Sequence, residues 1–130
     1  MQISSSRPPD SVYDAVGGRE YFERLITAFY QGVESDPLLR PMYPEDLGDS
    51  RVNMVEFLGQ YWGGPTDYSD RKGHPRLRMR HAPFPVDEAA KDAWLAHMEA
   101  AIHSTEGADE NVRQAMVDYF RVAANHLLNT

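Results

Sequence analysis

Tyr21-Phe22-Glu23-Arg24-Leu25-Ile26-Thr27-Ala28-Phe29-Tyr30-Gln31-Gly32-Val33 places apolar or aromatic side chains at positions 21, 22, 25, 26, 29, 30 and 33. That recurrence is helical, and it predicts a helix of about four turns with a wide apolar stripe. Upstream, Gly17-Gly18 separates this helix from a short segment at Val12–Val16. Downstream, Asp36-Pro37 stops it and starts one short turn through Leu38-Leu39-Arg40. Pro41 and Pro44 then bracket Tyr43 in a stiff corner.

The same period governs the rest of the chain. Asp49 or Ser50 is expected to cap the next helix, whose face carries Met54, Phe57, Leu58, Tyr61 and Trp62. Gly63-Gly64-Pro65 ends it, and Thr66–Gly73 reads as a loop. A short helix follows, opened by Pro75 and stopped by Pro83. Pro85-Val86-Asp87 opens a long helix with Ala90, Trp94, Met98 and Ile102 on one face. Asp109 is placed to cap the last helix, where Val112, Met116, Tyr119, Phe120, Ala123 and Leu127 line up. The expected fold is all-α: one domain over residues 11–130, preceded by a disordered Ser- and Pro-rich tail over residues 1–10.

Composition narrows the function classes. A net charge of -7 argues against general nucleic-acid binding. Five of the thirteen Lys and Arg residues nevertheless fall between Arg71 and Arg80, which favours a local anionic partner. Without cysteine there is no disulfide, thiolate ligand, iron–sulfur cluster or Cys nucleophile. No apolar run approaches the roughly 20 residues that span a bilayer, and the N-terminus has no apolar signal core. The expected address is therefore cytoplasmic, with no membrane or nucleic-acid partner.

One short segment carries the metal chemistry. His81 falls in the last turn of the predicted Pro75 helix and shares a face with Leu77. Arg76, Arg78 and Arg80 decorate the same turns. An imidazole beside apolar residues and ringed by guanidinium groups suits an iron porphyrin: the nitrogen ligates iron, and the arginines pair with propionates. A histidine at a helix C-terminus also serves as an ordinary cap, favoured by the macrodipole. Three further side chains do not fit a plain core. Tyr30, Tyr43 and Trp94 look inward, and each brings a donor that needs a partner when buried. Neither Glu-x-x-His nor His-Glu-x-x-His occurs, no Gly-rich phosphate loop precedes a helix, and no nucleophile elbow is present. Haem is the most economical metal reading that remains.

The ordered motifs resemble a known family. Tyr13-Asp-Ala-Val-Gly-Gly18, Phe29-Tyr30, Leu38-Leu-Arg-Pro-Met-Tyr-Pro-Glu-Asp-Leu47 and Phe57-Leu-Gly-Gln-Tyr-Trp-Gly-Gly-Pro65 occur in that order. Gly73-His-Pro-Arg-Leu-Arg-Met-Arg-His-Ala-Pro-Phe84 and Asp92-Ala-Trp94 follow them. From about Val12 to Asn129 the chain resembles the bacterial truncated haemoglobins of the second group, the O-type. The resemblance implies a shortened globin fold, a two-over-two helical sandwich around non-covalent haem b. It makes His81 the proximal iron ligand, and Tyr30, Tyr43 and Trp94 the hydrogen-bond donors to bound ligand. Ser50 and Met54 match distal-helix positions that control access and crowd the ligand. Phe57, Leu58, Leu77, Met79, Phe84, Trp94 and Met98 would form the apolar wall, with Arg80 and Tyr68 as propionate partners. No histidine lies between Tyr43 and Trp62, so the distal His of ordinary globins has no counterpart.

Three function classes stay open at this level. The first is a haem protein that binds O2, CO and NO and performs redox chemistry on NO or peroxide with an external reductase. The second is a sensor or storage module without turnover. The third is a cofactor-free helical interaction domain, which leaves the His81 context unexplained. A homodimer is compatible with the sequence but not specified by it.

Overall fold

The structure is a computed structural model that describes residues 11–73 and 86–128. The expected tail over 1–10 and the segment containing Leu77, Met79, Arg80, His81 and Phe84 lie outside the described residues. Within them every regular element is helical. In chain order these are α1 (Val12–Val16), α2 (Arg19–Glu34), a 3-10 turn (Arg40–Met42), α3 (Gly48–Tyr61), α4 (Asp67–Lys72), α5 (Glu88–Ser104) and α6 (Glu110–His126). Helix α2 packs against both α3 and α5, α5 packs against α6, and α4 packs on α3. The result is the two-over-two sandwich, with α2 and α3 forming one pair and α5 and α6 the other.

The helix starts follow from side-chain capping. Ser11 accepts the Asp14 N–H at 3.1 Å, Asp87 accepts that of Ala90 at 2.8 Å, and Asp109 accepts that of Val112 at 2.9 Å. Gly17 and Gly18 separate α1 from α2 with φ of 96° and 82°, a left-handed conformation that side chains with a Cβ rarely adopt. Helix α2 buries Tyr21, Phe22, Leu25, Ile26, Phe29, Tyr30 and Val33, which is the whole expected stripe. Met98, Ile102, Met116, Val117 and Phe120 meet it from α5 and α6.

Three local expectations change. Helix α3 begins at Gly48, ahead of Asp49 and Ser50, because Asp46 Oδ1 accepts the Gly48 N–H at 2.8 Å and turns the chain earlier. Neither Asp49 nor Ser50 is its cap. The Thr66–Gly73 loop contains α4, with Asp67 and Asp70 in its first turn and Arg71 and Lys72 in its last, the charge order a helix dipole favours. Gln60 anchors α4 by accepting the Ser69 N–H at 2.9 Å and donating to Ser69 Oγ at 2.7 Å. The α3 stripe also divides. Val55, Leu58 and Gly59 are buried, Met54 and Phe57 are half-buried, and Tyr61 is exposed.

Candidate haem and ligand cavity

A cavity of about 430 Å³ lies among α2, α3, α5, α6 and the Leu39–Pro44 corner. Its size is within the usual range for small-molecule and cofactor sites. Eight of the residues singled out from sequence line it: Tyr30, Tyr43, Ser50, Met54, Phe57, Leu58, Tyr68 and Trp94. Met98 does not line it; that side chain is fully buried in the core. Leu77, Arg80, His81 and Phe84 fall outside the described residues.

The corner that carries Tyr43 is held from both ends. Asp36 Oδ1 accepts the N–H groups of Leu38 and Leu39 at 2.8 and 3.3 Å, while His97 Nε2 lies 2.7 Å from Asp36 Oδ2. Arg40 donates to the carbonyls of Pro44 and Glu45 at 2.8 and 2.7 Å. The prolines fix φ and the arginine satisfies carbonyls that no helix can take up. Tyr43 therefore meets Tyr30 edge-on, with ring centroids 5.6 Å apart.

Tyr30 and Trp94 are positioned through a shared neighbour. Phe29 packs edge-on against both, at 5.0 and 5.1 Å. From α3, Arg51 pairs with Glu34 at 2.9 Å and spreads its guanidinium over the Tyr30 ring. Burial pushes the Tyr30 phenol far above the ordinary tyrosine range, and the adjacent Tyr43 raises it further. Arg51 and the Ser50 hydroxyl act in the opposite sense. Burial likewise pushes Tyr43 up to about 12, against an opposing interaction with Trp94. Both phenols are consequently neutral donors throughout the physiological range.

The cavity has residues that sequence reasoning overlooked. Asn53 lines it, and among the described residues its Oδ1 is buried without a partner. An orphaned buried acceptor costs about 1–3 kcal/mol. Ser50, Asn53, Met54 and Phe57 share one helical face, and that spacing was the available signal. Lys91 also lines the cavity, one turn before Trp94, and its ammonium pairs with exposed Glu88 at 2.9 Å. Tyr119, Phe120 and Ala123 of α6, with Leu127 just after its end, also line the cavity. Their stripe is indistinguishable from ordinary core packing in sequence. Among the described residues, no group of three or more His and carboxylate side chains could hold a metal ion.

These residues suit a porphyrin. The walls are aromatic and branched apolar surfaces, the donors of Tyr30, Tyr43, Ser50 and Trp94 neighbour one another, and a lysine provides a cation for carboxylates. Residues 11–128 match the family of bacterial-like globins. The chain is 38% identical over 117 residues to a group 2 truncated haemoglobin of Bacillus subtilis, covering 90% of this chain and 87% of that one. It superposes on the haemoglobin of Chloroflexus aurantiacus with a TM-score of 0.90 and 47% identity, over 95% of this chain and all of the other. The oxygen-avid truncated haemoglobin of B. subtilis superposes with a TM-score of 0.86 and 38% identity, over 92% and 100% of the two chains. The cavity and these likenesses agree: this chain belongs to the bacterial-like globins, as a truncated haemoglobin of the second group, a family that binds small ligands through haem.

Proposed function

We propose that the chain holds haem b non-covalently and uses it to bind O2, CO and NO, with redox turnover of NO or peroxide when an external reductase supplies electrons. The observation that carries this reading is the convergence of Tyr30, Tyr43 and Trp94 on one apolar cavity. When bound, the haem supplies an iron that takes diatomic ligands and exchanges electrons. His81 is the proposed proximal ligand. Lys91 joins Tyr68 and Arg80 as a proposed partner for the propionates.

The chain's own contribution is retention and polarity. Tyr30, Tyr43 and Trp94 would donate to a ligand atom that carries partial negative charge. Hydrogen bonds to charged acceptors contribute about 1.5–3 kcal/mol each. Loss of one would speed ligand escape about ten- to a hundredfold. Met54, Phe57 and Leu58, which line the same space, would exclude water from it, and Ser50 would control access. Slow release suits holding a ligand while chemistry proceeds better than it suits rapid delivery. The oxygen-avid relative is consistent with that reading.

Absorption spectra of the haem-reconstituted protein in ferric, reduced and CO-bound forms test the proposal. A sharp Soret band that moves on reduction and again with CO is the expected result. His81→Ala should lose haem and the stability that bound cofactor adds by mass action. Haem affinity unchanged in that variant would reassign the iron ligand. NO and peroxide turnover assays with a reductant then decide between chemistry and simple binding.

A further inference from the structure

The imidazole of His97 on α5 has no part in the haem reading, yet the fold makes room for it. Gly32 lies in the last turn of α2, and a Cβ there would press on ring Nδ1, with Cγ at 3.0 Å and Cε1 at 3.1 Å. Its φ is not positive, so α2 uses none of glycine's backbone freedom at this point. Glycine is a poor helix residue, and what the position uses is the missing Cβ. Packing α2 on α5 needs neither a glycine nor an imidazole here, since an alanine against an apolar side chain would serve. The space lets the ring reach Asp36, with Nε2 2.7 Å from Oδ2 and both side chains half-buried. A carboxylate only accepts, so Nε2 carries the proton of this bond. The bond to His97, with those from the Leu38 and Leu39 N–H groups, holds the Asp36 carboxyl below the ordinary carboxylate range and keeps it a charged acceptor.

Asp36 is the root of the corner that ends at Tyr43. Its Oδ1 accepts the N–H groups of Leu38 and Leu39, and its carbonyl accepts that of Arg40 at 2.8 Å. The Arg40 carbonyl in turn accepts the Tyr43 N–H at 3.2 Å. Hydrogen-bonded groups therefore connect the imidazole to the backbone of Tyr43. At the far end, Trp94 interacts with the Tyr43 phenol. Trp94 and His97 stand three apart on α5 and share a face. One helix thus grips both the root of the corner and its tip.

We propose that His97 is a positioning residue for ligand binding: through Asp36 it fixes the corner so that the Tyr43 hydroxyl stays beside Trp94 and within reach of a ligand in the cavity. This rests on the haem-cavity reading above. His97 does not line the cavity, so its effect on a ligand passes through Tyr43. Gly32 belongs to the same device, because it gives the imidazole its place. With the root released, the corner samples a wider range and the phenol donates for a smaller share of the time. A donor at the oxygen of bound CO draws electron density outward and lowers the C–O stretch, so a weaker donor leaves that stretch higher.

The test reads the infrared C–O stretch and the CO release rate of the haem-reconstituted protein. His97→Leu should move the band to higher frequency or split it. It should also speed release about three- to tenfold, short of the effect of losing the Tyr43 hydrogen bond outright. His97→Gln carries an amide N–H to nearly the same place and should restore most of both. In a Tyr43→Phe background, His97→Leu should change neither further. If His97→Leu does not fold, His97→Asn takes its place, being polar but too short to reach Asp36. A lower melting temperature with an unmoved band, or a full His97→Leu effect in the Tyr43→Phe background, would reduce His97 to a packing role or route it elsewhere and overturn the proposal. Those outcomes, with a normal wild-type Soret band, leave the cavity reading intact. A missing wild-type Soret band overturns the cavity reading and the positioning role together.

Discussion

Tyr21 and Tyr30 sit on the same helix and are almost equally buried, at 0% and 2% exposure. Nine positions apart, about two and a half turns, they point to opposite sides of α2. Tyr21 turns into the closed core, where its hydroxyl donates to the Met116 sulfur at 3.9 Å. Tyr30 turns to the cavity, where its ring meets Tyr43 and its neighbours include Ser50 and Arg51. One region is filled by protein; the other is left open, as the proposed cofactor and its ligand require. A buried phenol is thus read by the space its hydroxyl faces rather than by its burial.

The sharpest way to break the comparison is to empty the closed side. Phe22 is fully buried between the rings of Tyr13 and Tyr21. Phe22→Ala should cost about 3–5 kcal/mol, read from urea unfolding of the haem-free protein. A loss below 1 kcal/mol, with ~1 kcal/mol being no more than a surface effect, would mean that the core is less closed than described.

Overpacking tests the join between the two regions. A Cβ on Gly32 would clash with the His97 ring, whose Cγ would lie only 3.0 Å away. Gly32→Ala should cost about 1–3 kcal/mol and displace His97 from Asp36. Thermal melts and His97 ring chemical shifts report both effects. Unchanged shifts would show that the ring moves without leaving its carboxylate.

The two phenols themselves separate function from stability. Tyr30→Phe should accelerate ligand release about tenfold, the consequence of losing one hydrogen bond of about 1.4 kcal/mol. Tyr21→Phe should leave release unchanged and alter stability by no more than about 1 kcal/mol, because a sulfur acceptor is weak. Flash photolysis of the CO complex and O2 stopped flow check the pair. Equal effects from both changes would erase the distinction drawn between the two sides of α2.

Acid should produce the smallest change. Glu56 joins three helices by accepting from Arg19 at 3.2 Å and from Arg71 at 2.7 Å. The Arg71 hydrogen bond, with Arg19 adding, holds its carboxyl below the ordinary glutamate value of 4.5. A lowered folded pKa contributes stability that is present above 4.5 and lost as pH falls through the folded value. Glu56→Gln should therefore flatten the acid side of the stability curve in thermal melts. An unaltered curve would place the acid sensitivity in other carboxylates, with Asp36, lowered by its bond to His97, the next to test.

The sequence by itself determined the helices that carry strong, one-sided patterns. The stripe of α2 is complete in the structure, Asp109 caps where the spacing put it, and α5 opens after Pro85-Val86-Asp87 as expected, because these features depend on a few adjacent residues. The Gly17-Gly18 break and the Pro-rich corner around Tyr43 are legible for the same local reason. Haem chemistry and the identities of Tyr30, Tyr43 and Trp94 came from residue types out of place in a plain core and from family resemblance. Tertiary structure decided the rest. Asp46 moved the start of α3, and Gln60 fastened α4, through side chains that no hydrophobic period records. Packing kept Met98 in the core while opening Asn53, Lys91 and Tyr119 to the cavity. A helical stripe shows that a face is buried. Whether that face meets another side chain or an open cavity depends on how α2, α3, α5 and α6 are placed around it, and no single segment encodes that placement.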